Sequence, residues 1–261
     1  MSSDASRDSA QPAGPGPRTP VPRDRREFLR TVGLGAAAAC IPGLLAACTT
    51  SSTAAPVSPK PPPDSNPPPP HQSSPPTITL DFSSDYGVLN FAYLLEQIAA
   101  AFYTQVKATP PPTMTTHEQD LLGQIGVHEG IHATVLKTAL GSHGIGQATL
   151  TFASVNFKDR SSVLTTAKTL EDLGVGAYNG AAQFLQSATN LTLAGKIVSV
   201  EGRHAAAVRD LLAPATSAFA GSDVINAAGF DRALLPSDVL TAVAPFVQNK
   251  ISLTHVPSTT A

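Results

Sequence analysis

The chain has 261 residues, a net charge of −2 and only 14% charged residues. The near-neutral balance and the lack of a dense basic patch exclude the electrostatic footprint of a nucleic-acid-binding protein. Both cysteines, Cys40 and Cys48, lie in the N-terminal segment, so disulfide stapling and thiol catalysis are excluded in the rest of the chain.

Residues 1–48 carry the pattern of an export signal. Residues 1–24 are rich in Ser, Pro, Gly and Ala without apolar periodicity, which predicts disorder. Arg25 and Arg26 then open an Arg-Arg-x-Phe-Leu stretch that resembles the twin-arginine export signal, which implies passage through that export machinery. The broken apolar run that follows is too short for a membrane-spanning helix and is typical of a signal peptide.

The apolar run ends at Leu45-Ala46-Ala47-Cys48, which resembles the lipobox of bacterial lipoproteins. The resemblance implies that Cys48 becomes diacylated and anchors the mature chain to the membrane. The alternative is an ordinary export signal that is cleaved near Ala47. We therefore expect an exported protein, at the outer face of the cell membrane or in the periplasm.

Residues 49–76 form a proline-rich linker. Eleven of the twenty-one residues in 56–76 are proline. Such a composition favours polyproline II at about 3.1 Å per residue, so this segment predicts a semi-rigid spacer of roughly 65 Å.

Residues 77–261 carry the apolar periodicity of an all-α domain. A stretch without helical periodicity, 141–160, is long enough to cross a bundle and join two parallel helices. A short C-terminal helix is expected after Pro236. The four long helices are predicted at about 86–107, 115–140, 162–186 and 190–212.

The second and fourth predicted helices each carry a Glu-x-x-His motif, and the first and third each carry one mid-helix glutamate among apolar residues. Residues three apart share one face of a helix, so the Glu and His of each motif project side by side. Counting residues from the helix ends places all four groups at one height, within about a turn. Glu, Glu-x-x-His, Glu and Glu-x-x-His on four helices is the ligand set of di-iron and di-manganese bundles. The candidate metal ligands are Glu96, Glu129, His132, Glu171, Glu201 and His204.

Carboxylates and imidazoles suit two divalent ions, iron or manganese, and zinc competes for the same ligands. Without metal, four carboxylates in one apolar core repel one another, so some should be protonated. Replacing Glu129 by Gln is therefore expected to relieve the metal-free cluster and to weaken the metal-loaded one. A single Glu-x-x-His is common on solvated helices, so the prediction depends on its recurrence.

Three nearby side chains have less specific interpretations. Tyr103 and Tyr178 are expected to be core aromatic residues rather than redox groups. His128 points about 100° away from Glu129 around the helix, which predicts either a solvated side chain or one that contacts a ligand.

Several stretches resemble the ferritin-like domain family, which includes exported bacterial proteins, plant desiccation-related proteins and fungal stress-response proteins. The likeness covers roughly residues 80–250, and it implies a four-helix ferritin-like bundle with one long crossover and the six candidate ligands at the metal positions. The stretches are DYGVLNFAYLLEQIAAAFY (85–103), HEGIH (128–132), LEDLGVGAYNGAA (170–182) and VEGRHAAAVRDL (200–211).

Three functions are compatible with these patterns. The first is an enzyme that oxidises Fe(II) or removes peroxide or dioxygen in envelope stress protection. The second is a protein that holds metal without turnover, and the third is a metal-free structural bundle. A lipid anchor with a linker argues against a ferritin-type storage shell, so a monomer or a small homo-oligomer is expected.

Overall fold

The structure, a computed structural model, describes residues 74–256. The twin-arginine motif, Cys48 and most of the linker therefore lie outside the described residues. Within 74–256, no helix is long and apolar enough to cross a membrane. The helices and strands are β1 (Ile78–Asp81), α1 (Asp85–Ala108), α2 (Thr116–Leu140), α3 (Arg160–Ala181), α4 (Ala188–Leu212), α5 (Pro236–Val243) and β2 (Ile251–Thr254).

Local sequence sets the start of α2. The Thr115 hydroxyl accepts a hydrogen bond from the Glu118 backbone N–H at 3.3 Å, and the Glu118 carboxylate accepts one from the Thr115 N–H at 2.8 Å. This reciprocal capping box satisfies two backbone donors that would otherwise lack partners. At its other end, α2 stops at Gly141, whose φ of 53° is readily adopted only by glycine.

The end of α3 lies earlier than predicted. The helix stops at Ala181 instead of residue 186, because the chain tightens into a short 3-10 turn over Ala182–Phe184. The Ser187 hydroxyl then caps α4 by accepting from the Asn190 N–H. Periodicity alone did not reveal this tightening, since the residues of the turn remain largely apolar.

The connection between α2 and α3 runs back along α1. Near the start of α1, the Asn90 amide donates to the His143 carbonyl at 2.8 Å. Two turns later, the Gln97 side chain accepts from the Ala148 N–H at 2.8 Å. Buried side-chain amides on α1 therefore satisfy backbone groups of a segment whose regular structure is limited to a 3-10 turn at Gly141–His143 and an isolated bridge at Leu150.

The same connection ends where α2 begins. Phe152 packs on Phe102, near the end of α1, with ring centroids 5.9 Å apart. Arg160, the first residue of α3, then pairs with Glu118 in the first turn of α2. Hence α2 and α3 start at the same end of the bundle and run parallel, which confirms the predicted crossover.

Antiparallel pairs α1–α2 and α3–α4 pack together around one apolar core. The first pair approaches closely at Gly126, where an added Cβ would lie 2.7 Å from the Cβ of Tyr103. A side chain at this position would therefore push α2 away from α1. The core is closed by α5, whose Val239 and Val243 are fully buried.

Two short strands were not predicted. β1 and β2 pair in parallel, in a register from Ile78 opposite Ile251 to Asp81 opposite Thr254. The Asn249 amide reinforces this pairing by donating to the Pro76 carbonyl at 2.8 Å. The pairing joins both ends of the described chain, and the sequence within either strand is too short to indicate it.

Candidate metal centre

The bundle brings all six candidate ligands into one cluster at mid-height. α1 and α3 each contribute one glutamate, and α2 and α4 each contribute a Glu-x-x-His pair. Every one of these ionisable side chains is buried, so each needs a compensating partner. The exposed fractions are 2% for Glu96, 1% for Glu129, 8% for His132, 2% for Glu171, 3% for Glu201 and 5% for His204.

The six side chains form two overlapping groups. Within each group, one potential ligand atom per residue lies within 4.8 Å of the others. Glu129 and Glu201 belong to both groups, so their carboxylates lie between the two positions that the groups define. The first group is Glu96, Glu129, His132 and Glu201, and the second is Glu129, Glu171, Glu201 and His204.

Both histidines turn their Nδ1 atoms towards the carboxylates. His132 Nδ1 lies 3.0 Å from Glu201 Oε1 and 3.6 Å from Glu96 Oε2. His204 Nδ1 lies 2.9 Å from Glu129 Oε1. A converging set of anionic oxygens and imidazole nitrogens is the donor set of a metal site.

Buried polar atoms without hydrogen-bond partners indicate whether the cluster can hold a cation. The short contacts above are not aligned as hydrogen bonds, and each of the six side chains keeps one buried oxygen or nitrogen without a hydrogen-bond partner among the described residues. Leaving such atoms unpaired is costly in a protein interior. The buried cluster can therefore hold metal ions. The atoms are Glu96 Oε2, Glu129 Oε1, His132 Nδ1, Glu171 Oε2, Glu201 Oε1 and His204 Nδ1.

Two tyrosines hold the glutamates of α1 and α3. The Tyr103 hydroxyl donates to Glu171 Oε1 and the Tyr178 hydroxyl donates to Glu96 Oε1, both at 2.5 Å. Each bond leaves the Oε2 atom of its glutamate facing the cluster. Both tyrosines are buried in the core as expected, but their hydroxyls also contact the site, which the sequence interpretation missed. The available signal was a Glu-x6-Tyr spacing that occurs in both α1 and α3.

His128 supplies a partner for the second nitrogen of His204. Its Nδ1 lies 2.9 Å from His204 Nε2, and the two rings are nearly parallel, with an interplanar angle of 7°. Such a contact orients a ligating imidazole and fixes which nitrogen faces the metal. Val200 occupies the matching position before Glu201, so the two Glu-x-x-His motifs have different surroundings.

Burial and mutual repulsion raise the pKa values of three carboxyls, so these groups stay protonated to a higher pH than usual. Burial and the charge of Glu201 raise the pKa of Glu96 well above its ordinary value. Burial, with the Glu129 and Glu201 charges, raises the pKa of Glu171 to about 8. Burial and Glu129 likewise raise the pKa of Glu201. This agrees with the expectation that the metal-free cluster carries protons on some of its carboxyls.

Glu129 behaves in the opposite way. Burial raises its pKa, but the imidazoles of His132 and His204 outweigh burial and lower the pKa to about 2. In turn, burial lowers the pKa of both histidines, yet the surrounding carboxylates raise it to about 12 for His132 and about 9 for His204. The lowered pKa of Glu129 argues against the expected relief on replacing it, because this carboxyl stays ionised beside two imidazoles whose pKa values are raised.

A small cavity of about 20 Å³ reaches the cluster, and its lining combines apolar side chains with all four glutamates. Leu95, Leu173 and Gly174 belong to the apolar part of this lining. An added Cβ on Gly174 would lie 3.2 Å from Glu201 Oε2. Because Gly174 has no side chain, the cavity stays open and the Glu201 carboxylate keeps its position.

The sequence profile of the ferritin-like domain family matches residues 84–214. The chain belongs to the ferritin-like domain family. The match covers α1 to α4 of this ferritin-like protein and includes all six residues of the cluster, whereas α5 and both strands lie outside it. No curated protein matches the chain.

Proposed function

We propose that this ferritin-like protein holds a dinuclear iron or manganese centre. The observation that carries the proposal is the sharing of Glu129 and Glu201 between two groups of buried ligand atoms. Glu129 and Glu201 would be shared between the two ions. Glu96 and His132 would complete the ligands of one ion, and Glu171 and His204 would complete those of the other.

Charge balance supports two divalent ions. Four glutamates offer four negative charges, which two divalent cations neutralise while both imidazoles bind as neutral groups. The raised pKa values of Glu96, Glu171 and Glu201 are the cost of burying carboxylates without such ions. Metal binding therefore releases protons from these carboxyls and from the two histidines.

We further propose that the centre oxidises Fe(II) or removes peroxide or dioxygen. Bound iron or manganese would supply one-electron redox chemistry. Tyr103 and Tyr178 keep the terminal carboxylates in one orientation, and a small cavity reaches the cluster. Its volume of about 20 Å³ suits one molecule about the size of water, so the chemistry is directed to very small substrates.

The N-terminal motifs support a role in envelope stress protection. Arg25 and Arg26 stand in a twin-arginine pattern, and Cys48 closes a lipobox pattern. The proposed mature protein is lipid-anchored at Cys48, and the proline-rich linker separates the metal-binding domain from the membrane surface.

Metal content and turnover test the proposal together. We expect about two iron or manganese ions per chain after purification from the natural host. Glu201→Gln should lower the content of both ions because Glu201 belongs to both groups of ligand atoms. Asp120→Asn, at an exposed position on α2, is the matched control and should leave the metal content unchanged. Less than one ion per chain after loading with Fe(II) or Mn(II) would contradict the centre.

Turnover separates an enzyme from a protein that only holds metal. The loaded chain should consume peroxide in the presence of a reductant, or oxidise added Fe(II) with dioxygen as the oxidant. Full metal content without either reaction would support the non-catalytic alternative. A stable fold that takes up no metal would support the structural one.

A further inference from the structure

One face of α2 is exposed and apolar over about two turns. Val127, Ile131 and Val135 follow one another at four-residue spacing and are 47%, 52% and 38% exposed. Between Asp120 and Lys137 the only Asp, Glu, Lys or Arg is Glu129, which is buried. The outer face of a solvated helix is normally polar and charged, so this face, the α2 outer face, needs an explanation.

Two threonines extend the apolar surface of the α2 outer face, because their hydroxyls are already hydrogen-bonded within the helix. The Thr134 hydroxyl donates to the Gly130 carbonyl, and the Thr138 hydroxyl donates to the Thr134 carbonyl, both at 2.8 Å. Each hydroxyl is thus engaged by its own helix, which leaves the methyl group for the surface. The apolar area therefore extends beyond the valines and the isoleucine.

The α2 outer face is bounded by one acidic and one basic residue. Asp120 and Lys137 are both exposed, and neither takes part in an ion pair within residues 74–256. The midpoint between them in sequence falls between His128 and Glu129. The midpoint between Val127 and Ile131 falls at Glu129, so charges and apolar residues share nearly the same centre.

From this symmetry we propose that a second copy of the chain docks on the α2 outer face, with the two α2 helices antiparallel. Around a two-fold axis near Glu129, Val127 of each copy meets Ile131 of the other. Asp120 of each copy then lies beside Lys137 of the other, which gives two intermolecular ion pairs. Such a surface is self-complementary, as a closed dimer requires. A shallow crossing of roughly 20° keeps both ends of the pair within reach.

The charges on the α2 outer face also favour a second copy of the chain over a membrane surface. A helix that binds a membrane surface carries several Lys or Arg residues around its apolar face. The α2 outer face has one basic residue and one acidic residue, which together carry no net charge. The dimer goes beyond the proposed metal chemistry and does not depend on it.

Sedimentation of the full chain, produced without lipidation, measures the dissociation constant of the dimer. We expect a concentration-dependent dimer in the wild type. Ile131→Glu should raise the dissociation constant at least about tenfold, because it places a carboxylate at the centre of the contact. Leu191→Glu is the matched control: Leu191 is 48% exposed on α4, away from this face, and its replacement should leave the dimer intact.

A charge exchange makes the test specific for the antiparallel arrangement. Asp120→Lys and Lys137→Asp should each weaken the dimer, since each places like charges opposite one another. Combining the two should restore it, because the ion pairs re-form with reversed polarity. Failure of the double variant to recover would overturn the antiparallel pairing.

Other outcomes would overturn the proposal as a whole. A wild-type chain that stays monomeric at every concentration has no such dimer. A dimer that persists in Ile131→Glu uses another surface. Monomers that bind lipid vesicles through Ile131 would assign the α2 outer face to a membrane.

Discussion

Tyr103 and Tyr178 give the two terminal carboxylates a defined orientation. Burial and the nearby Glu171 and Glu96 charges, respectively, raise the pKa of these phenols well above the ordinary value, so both hydroxyls remain donors. Each bond crosses from one helix pair to the other, since it joins α1 to α3. The two tyrosines therefore connect the packing of the bundle to the position of the ligand atoms.

Replacing Tyr178 by Phe should weaken metal binding about 10–100-fold, the usual effect of removing a hydrogen bond to a ligating group. The change leaves Glu96 Oε1 without its donor, so the carboxylate loses its fixed orientation. Competition with a chelator measures the affinity. Tyr93→Phe, at another buried tyrosine of α1, is the matched control, and equal affinities for the two variants would contradict this role.

Without metal, the protein should lose stability as the pH rises above about 4.5. The folded chain holds a proton on Glu171 up to about pH 8, whereas the unfolded chain releases it near 4.5. His204 acts in the same direction between 6.5 and about 9. Each extra proton on the folded state lowers the free energy of unfolding by about 1.4 kcal/mol per pH unit within its window.

Metal should reverse this slope, because metal ions compete with protons for the same atoms and bind better at higher pH. Thermal unfolding between pH 5 and 8, with chelator and with Mn(II), measures both slopes. At pH 7 without metal, Glu171→Gln should stabilise the fold and Glu129→Gln should destabilise it. With metal, both changes should destabilise it. Identical responses of the two variants without metal would contradict the assigned charges.

At the level of single elements, the sequence predicted the features that depend on interactions between residues close together in the chain. The four long helices follow from apolar periodicity, and the capping box at Thr115 fixes one boundary. The Glu-x-x-His motifs are equally local, which explains why sequence spacing pointed to the residues that the structure brings together. The tyrosine contacts cross the bundle, so their spacing alone did not reveal their partners.

The crossover depends on two side chains of α1, and Asn90→Ala tests this dependence. The change removes the donor to the His143 carbonyl and the acceptor for the Ile145 N–H. An unpaired buried group costs about 1–3 kcal/mol, and these part-buried groups should cost the lower end of that range, so we expect a measurable loss of stability. Urea unfolding measures it, with the exposed Gln105→Ala on the same helix as the control. A loss no greater than that of Gln105→Ala would show that the crossover is held by its apolar contacts alone.

At the scale of the whole molecule, long-range pairing limits what a sequence can indicate. β1 and β2 pair across nearly the full length of the described chain. No local pattern encodes such a contact, and strands of four residues are below the length at which alternation is informative. The family resemblance predicted the bundle, whereas its own profile stops at residue 214, before β2.

The proposed membrane attachment is tested on the whole chain. Cys48→Ala should release the protein from the membrane fraction, because the thioether to the lipid requires that sulfur. Replacing Arg25 and Arg26 by Lys should block export. Fractionation with immunodetection measures both effects, and a Cys48→Ala variant that stays in the membrane fraction would contradict the lipobox.

The parallel pairing of β1 with β2 brings the two ends of the described domain close together. Ile78 lies opposite Ile251, and one strand length further on, Thr254 leaves the sheet about 11 Å from where the chain came in. Ends this close are compatible with a short peptide joining them and with new termini opened elsewhere. A circularly permuted protein could begin within the 141–159 connection, which would keep the four long helices intact. The new termini would then interrupt the segment that joins α2 to α3. The same closeness makes residues 78–254 a cassette that can be placed in a surface loop of another protein.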